Sequence, residues 1–322
     1  MNNITIFLYI CIIKRKIQIV MLSDGKITEI FCMADDFCKF FNETVKRHTL
    51  EENDGKKHRS KPNKLSDAEI ITIMIMFHSC GHCCPKHFYK FYICEHCTHM
   101  FHNLLSYNRF VELEKEILFP MTIYVKEVLL GKCTGISFVD STPLRVCNNR
   151  RIHCHKVFKG IAMRGKCSMG WFFGFKIHLI INEKGEILNF MLTPGDIDDR
   201  APLKIESFVE VIYGKLVGDK GYISQDLFRE LFVNDIQLIT KIRNNMKNSL
   251  MSVADKVYLR KRAVIESVND ELKNIAQIEH SRHRSVNNFM VNAVSAIAAY
   301  CFFPKKPSIS IETYSDNQLV LF

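Results

Sequence analysis

A chain of 322 residues, 47% of them hydrophobic, can bury a sizeable core, which excludes a disordered chain and leaves one large domain or two ordinary ones. Its net charge of +10 points to a polyanionic partner more than to a small acidic molecule. Thirteen cysteines, odd in number and without a secretory signal, read as reduced thiols of a cytosolic protein and argue against a disulfide scaffold.

The opening apolar run from Ile4 to Ile13 is short for a membrane span, and Lys14-Arg15-Lys16 follows it instead of preceding it. That is the wrong polarity for a signal peptide. Residues 1–20 therefore read as an upstream extension ahead of Met21, and no membrane partner is expected. From Ile27 to His48 the apolar spacing suits an amphipathic helix. Glu51 to Pro62 is a polar linker, after which Ser66 and Glu69 form a capping box that starts a helix with an apolar run from Ile70 to Phe77. Further helices are expected over Lys86 to Tyr92 and Tyr107 to Val128. Residues 21–130 thus read as a helical DNA-binding domain, although packing alone accounts for each apolar residue.

Within it, Cys80-x2-Cys83 and Cys94-x2-Cys97 have the spacing of a zinc site. They fall on segments with helical periodicity, where Cys is also an ordinary small core residue. A structural Zn2+ at Cys80, Cys83, Cys94 and Cys97 is therefore the lesser reading.

The next unit, residues 131–306, opens on Ile136 to Val139, a short buried strand closed by Ser141-Thr142-Pro143 with Asp140 at its rim. Gly170 to Asn182 and Glu186 to Thr193 read as a hairpin joined by Asn182-Glu183-Lys184-Gly185. Asp196, Asp198 and Asp199 are expected to cap a helix over Arg200 to Tyr213, and the lone Trp171 reads first as core. Lys215 to Gly218 delivers Asp219 into a turn. A helix over Gln225 to Val233 and a strand over Ile236 to Lys241 follow, and a helix over Leu259 to Gln277 carries Glu266 between Arg262 and Lys273. Residues 307–322 form a tail.

The order β-β-β-α-β-α-β-α is a mixed-sheet α/β arrangement. Two strand-end Asp and a helical Glu can hold two divalent cations about 3.5–4 Å apart for in-line phosphoryl displacement. Each acid also has an ordinary role as a cap, a turn residue or a solvated helix position. Their setting is basic. Arg145 to Lys176 holds eight Lys or Arg and no acid, and Lys241 to Lys306 holds twelve basic residues against five acidic.

As a set these stretches resemble the ribonuclease H-like core of DDE transposases, and their wording resembles the IS982 family of bacterial insertion-sequence transposases. The similarity rests on Gly135 to Pro143, Gly170 to His178, Gly218-Asp219-Lys220-Gly221-Tyr222, Arg262 to Lys273, and Leu105 to Phe110 in the helical part. Related families carry Tyr-x2-Arg-x3-Glu-x6-Lys around the third acid; Arg262, Glu266 and Lys273 fit it, whereas Tyr258 stands one residue too far and Leu259 takes its place. The resemblance implies that Asp140, Asp219 and Glu266 bind two Mg2+ ions, with Mn2+ as a substitute. It also implies cleavage at terminal inverted repeats and joining to target DNA, by a homodimer or higher oligomer on double-stranded DNA in the bacterial cytoplasm at the nucleoid.

In that reading Arg262 and Lys273 clamp phosphates, and Arg145, Arg150, Arg151, Lys156 and Lys159 track the DNA backbone. Two alternatives share parts of the pattern. One is a ribonuclease H-like nuclease without strand transfer; the other is a non-catalytic DNA-binding protein.

Overall fold

The computed structural model of the chain describes residues 22–48, 63–241, 250–279, 283–310 and 319–321. The expected extension 1–20, the linker 51–62 and most of the tail 307–322 lie outside them. The chain forms two compact units: one takes the residues up to Val125 with Asn274–His283 and Asn287–Tyr300, the other Lys126–Lys273 with Arg284–Val286 and Cys301 onward.

The first unit is helical. Helix α1 (Asp24–His48) buries Ile27, Ile30, Ala34 and Phe37, the stripe of an amphipathic helix. Helix α2 (Asp67–Ser79) starts on the expected capping box, in which Ser66 Oγ accepts from the Glu69 N–H at 3.2 Å and the Ser66 N–H donates to Glu69 Oε2 at 2.7 Å. Residues 85–96 wind helically, with a π-helical centre at Phe88–Ile93. Instead of one helix over 107–128 there are α3 (Tyr107–Glu114) and α4 (Leu118–Tyr124), the latter continued by π-helical Val125–Leu129. Pro120 has no N–H for the Glu116 carbonyl, so the helix restarts with Pro120 in its first turn.

The second unit is built on a six-stranded mixed sheet of β1 (Ile136–Cys147), β2 (Met163–Cys167), β3 (Gly170–Asn182), β4 (Ile187–Pro194), β5 (Gly214–Gly218) and β6 (Ile236–Thr240). The order is β2-β3-β1-β5-β6, with β4 also on β3. β1 runs antiparallel to β3 and parallel to β5, and β5 runs parallel to β6. The hairpin of β3 and β4 has the expected turn, and β2 is a strand that the periodicity did not predict.

β1 does not end at Asp140. It continues through Pro143, which lies opposite Lys176 of β3. β5 pairs only with Ile136 to Phe138, so beyond Phe138 that edge of β1 carries no strand and a residue lacking an N–H costs no ladder bond.

One face of the sheet is covered by helix α5 (Gln225–Val233) and by the segment before β5. Val139, Ile180, Leu216, Phe208, Leu227 and Leu231 are buried together there. The helix expected over 200–213 is reduced to a 3-10 turn at Pro202–Lys204 and a single turn at Glu206–Val209. Leu203, Phe208, Val209 and Ile212 reach the core from an irregular path, and this packing overrides helix propensity.

After β7 (Leu250–Ser252), the helix expected over 259–277 is two helices, α6 (Val253–Lys261) and α7 (Ala263–Asn274), broken at Arg262. Ser252 caps α6, its Oγ accepting from the Asp255 N–H at 3.0 Å. The chain then returns to the helical unit as α8 (Val286–Cys301), where Asn288 Nδ2 donates to the Val111 carbonyl at 3.2 Å. By sequence the chain to residue 306 is expected with the sheet, whereas residues 274–283 and 287–300 join the helical unit. β8 (Leu319–Leu321) pairs with β7 in the second unit. No helix among the described residues is long and apolar enough to cross a membrane.

Candidate active site

The sheet presents its two faces alternately along β1. Val139 points into the core below α5, so Asp140 points the opposite way, toward α7. There Asn269 Nδ2 donates to Asp140 Oδ2 at 3.1 Å. Burial pushes the Asp140 carboxyl up to about 6, with repulsion from Glu266 and Asp219 behind it, against the pull of the Ser141 N–H and the Arg262 guanidinium. The three sequence-predicted acids, 126 positions apart at the extremes, therefore share one electrostatic field.

Asp219 leaves β5 at Gly218 and is the exposed residue before the 3-10 turn Lys220–Tyr222. Glu266 lies in the first turn of α7, where a carboxylate complements the helix dipole. Its Oε1 accepts from Arg262 at 2.6 Å; Arg262 is mostly buried and Glu266 mostly exposed. Arg262 thus neutralises Glu266 and acts on Asp140 as well. Lys273 closes the last turn of α7, seven positions from Glu266 on the same face.

Three carboxylates are hard oxygen donors that suit Mg2+ or Mn2+. In this conformation they are coupled by charge but not gathered for ligation: among the described residues no group of three His, Cys, Asp or Glu is placed to hold a metal ion. Glu266 is turned to Arg262. The zinc reading meets the same fact. Cys80 and Cys97 are buried and Cys83 is exposed, and Cys80 is hydrogen-bonded to the Tyr92 side chain.

The basic run from the end of β1 onward is surface. Arg145, Arg150, Arg151, Lys156 and Lys159 are all exposed, with Arg150 and Arg151 on a 3-10 helix, Asn149–Cys154. Two expectations change. Trp171 is not core but 53% exposed. Asp198 and Asp199 cap no helix; they pair with Arg200 at 2.7 Å and with Lys176 at 2.9 Å.

Asn269 was not singled out by the sequence. Its spacing from Glu266, one helical turn, was the available signal. It is 7% exposed, and among the described residues its Oδ1 has no hydrogen-bond partner.

The segment holding these residues is similar to a known class. Residues 130–286, just under half of the chain, match the family model described as transposase DDE domain. This match supports a DDE transposase. Among solved structures the chain is similar to a piggyBac transposase synaptic complex with hairpin DNA, at 11% identity over 87% of this chain and 72% of that one, with a TM-score of 0.45. It is also similar to the Mos1 strand transfer complex, at 12% identity over 65% and 68%, with a TM-score of 0.23. No curated protein matches the chain at a significant level.

Proposed function

We propose that this protein is a DNA transposase of the IS982 type with a ribonuclease H-like catalytic unit. It would cleave the ends of an insertion sequence at terminal inverted repeats and join them to target DNA. The observation that carries the reading is the convergence of Asp140, Asp219 and Glu266 on one field within the segment that matches the transposase DDE domain.

In this reading Asp140, Asp219 and Glu266 hold divalent cations. Two Mg2+ ions bound there would supply an activated attacking oxygen and stabilise the leaving one. The chain's own residues do the rest. Asn269 orients Asp140, leaving the carboxylate its second oxygen. Arg262 holds Glu266 until the site is loaded, then turns with Lys273 to the DNA phosphates as cationic hydrogen-bond donors. Arg145, Arg150, Arg151, Lys156 and Lys159 track the backbone and give salt-sensitive affinity. The helical unit reads the terminal repeats, a homodimer or higher oligomer pairs two ends, and the protein works in the bacterial cytoplasm at the nucleoid.

The test is a Mg2+-dependent assay on labelled DNA carrying the terminal repeat and a target plasmid, comparing the chain with Asp219→Asn. Cleavage and joined product, both lost in the variant, support the transposase. Cleavage without joining indicates a nuclease, and binding with neither, unchanged by the substitution, indicates a DNA-binding module.

A further inference from the structure

We propose that the hairpin of β2 and β3 binds an unpaired nucleotide of DNA, its base stacked on the Trp171 indole and its phosphates held by Arg164 and Lys166. The proposal rests on the DNA reading above and names a subsite within it.

Register puts the three side chains on one face, because Lys166 lies opposite Trp171 and Arg164 two residues along the same strand. The Arg164 guanidinium sits 4.8 Å from the indole centroid and the Lys166 ammonium 5.9 Å. Among the described residues neither cation has an acidic partner. An exposed indole flanked by two uncompensated cations is a poor way to fill a sheet face but a good platform for a flat aromatic base attached to an anionic backbone.

The platform is also built in place. Asn149 Nδ2 donates to the Trp171 carbonyl at 2.7 Å, which ties the strand end to the 3-10 helix carrying Arg150 and Arg151. A β-carbon at Gly165 would collide with the Gly195 carbonyl, so the hairpin packs directly against the turn after β4. Between them lies an open cavity of about 400 Å³, lined by Arg164, Lys166, Trp171, Lys176, Asp196 and Gly221 among others. Gly221 is two residues from Asp219, so the cavity adjoins the turn that carries the second acid.

The far wall decides the class of ligand. Asp198 and Asp199 are paired with Arg200 and Lys176, and Asp196 has no cationic partner among the described residues. A carboxylate there repels a phosphate backbone, whereas a base edge bearing an N–H, an amino group or the imide of thymine, can donate to it. Base stacking at this hairpin needs an unpaired nucleotide, because in the interior of a duplex both faces of each base are already covered.

The chain holds one tryptophan, so its emission reports on this site alone. The full-length protein, without divalent cation, is titrated with an oligothymidylate of about eight nucleotides, with a blunt duplex, and with an abasic strand of the same length. The expected result is quenching by the oligothymidylate and not by the other two. Measured with labelled oligothymidylate, Trp171→Ala weakens binding by roughly tenfold or more while Trp171→Phe keeps most of it. Equal quenching by the abasic strand, or unchanged affinity of Trp171→Ala, overturns the inference. A chain that cleaves and joins DNA without quenching sinks the subsite and leaves the transposase reading standing. A chain that binds neither single strands nor duplex sinks the DNA reading and this inference with it.

Discussion

Asn269 donates its side-chain amide to Asp140 at 3.1 Å, across 129 positions of sequence. This bond fastens α7 to β1 and makes the orientation of Asp140 depend on the helix that carries Glu266. Because the amide is buried and its partner is a carboxylate, the bond is charge-assisted whenever Asp140 is ionised. Replacing Asn269 by Ala is expected to lower DNA joining and divalent-cation affinity by about 10–100-fold, the range for residues that orient a metal ligand. Calorimetric titration with Mn2+ beside the joining assay checks it. Unchanged cation affinity would reduce Asn269 to a packing residue.

The raised pKa of Asp140, from 3.8 to about 6, has a definite sign. The folded state binds the proton more tightly than the unfolded one, so stability falls as pH rises from about 4 to about 6 and stays low above. Without metal, Asp140→Asn should stabilise the protein by about 1–3 kcal/mol at pH 8. That gain should shrink below pH 6 and vanish near pH 4. Denaturant melts at several pH values measure it.

Arg262 pulls the Asp140 pKa down while binding Glu266. Arg262→Ala should therefore push the Asp140 carboxyl higher still and leave Glu266 without its counter-ion. Carbon-13 titration of the aspartate carboxyls in the two proteins reads the shift directly, and a downward move would contradict the assignment of Arg262 as the neighbouring cation.

In the helical unit, burial pushes His78 and His283 down to about 4. His78 Nδ1 bonds the Ala276 carbonyl at 2.6 Å. Both rings stay neutral in the fold but take up protons below about 6.5 when unfolded. Their stabilisation is present above that pH and is lost as pH falls toward 4. His78→Gln should remove about 1–3 kcal/mol of the stability change between pH 7 and pH 4, seen as a shallower dependence of the melting temperature on pH.

Arg150 and Arg151 are exposed on their 3-10 helix and face solvent. If they neutralise phosphates, each substitution by Ala should flatten the dependence of log affinity on log salt by about 0.9. Fluorescence anisotropy at several salt concentrations gives the slope, and an unaltered slope would remove them from the DNA path.

Much of this was legible along the chain because local hydrogen bonding leaves local signatures. The Ser66 and Glu69 capping box spans four residues, the β3 and β4 hairpin announces itself by two apolar runs around a Gly turn, and α5 follows its apolar period from Gln225 to Val233. The three acids could be nominated in order, since each follows or interrupts such an element. Whether Trp171 is core or surface, whether β1 runs on past Pro143, and which unit residues 274–283 and 287–300 join depend on what lies on the other side of a strand or helix, and no period encodes that. Nor does any spacing say that Asn269 faces Asp140 or that Glu266 faces Arg262. Those pairings arise only when the sheet fixes which way β1 presents its side chains and the break at Arg262 turns α7 to meet them.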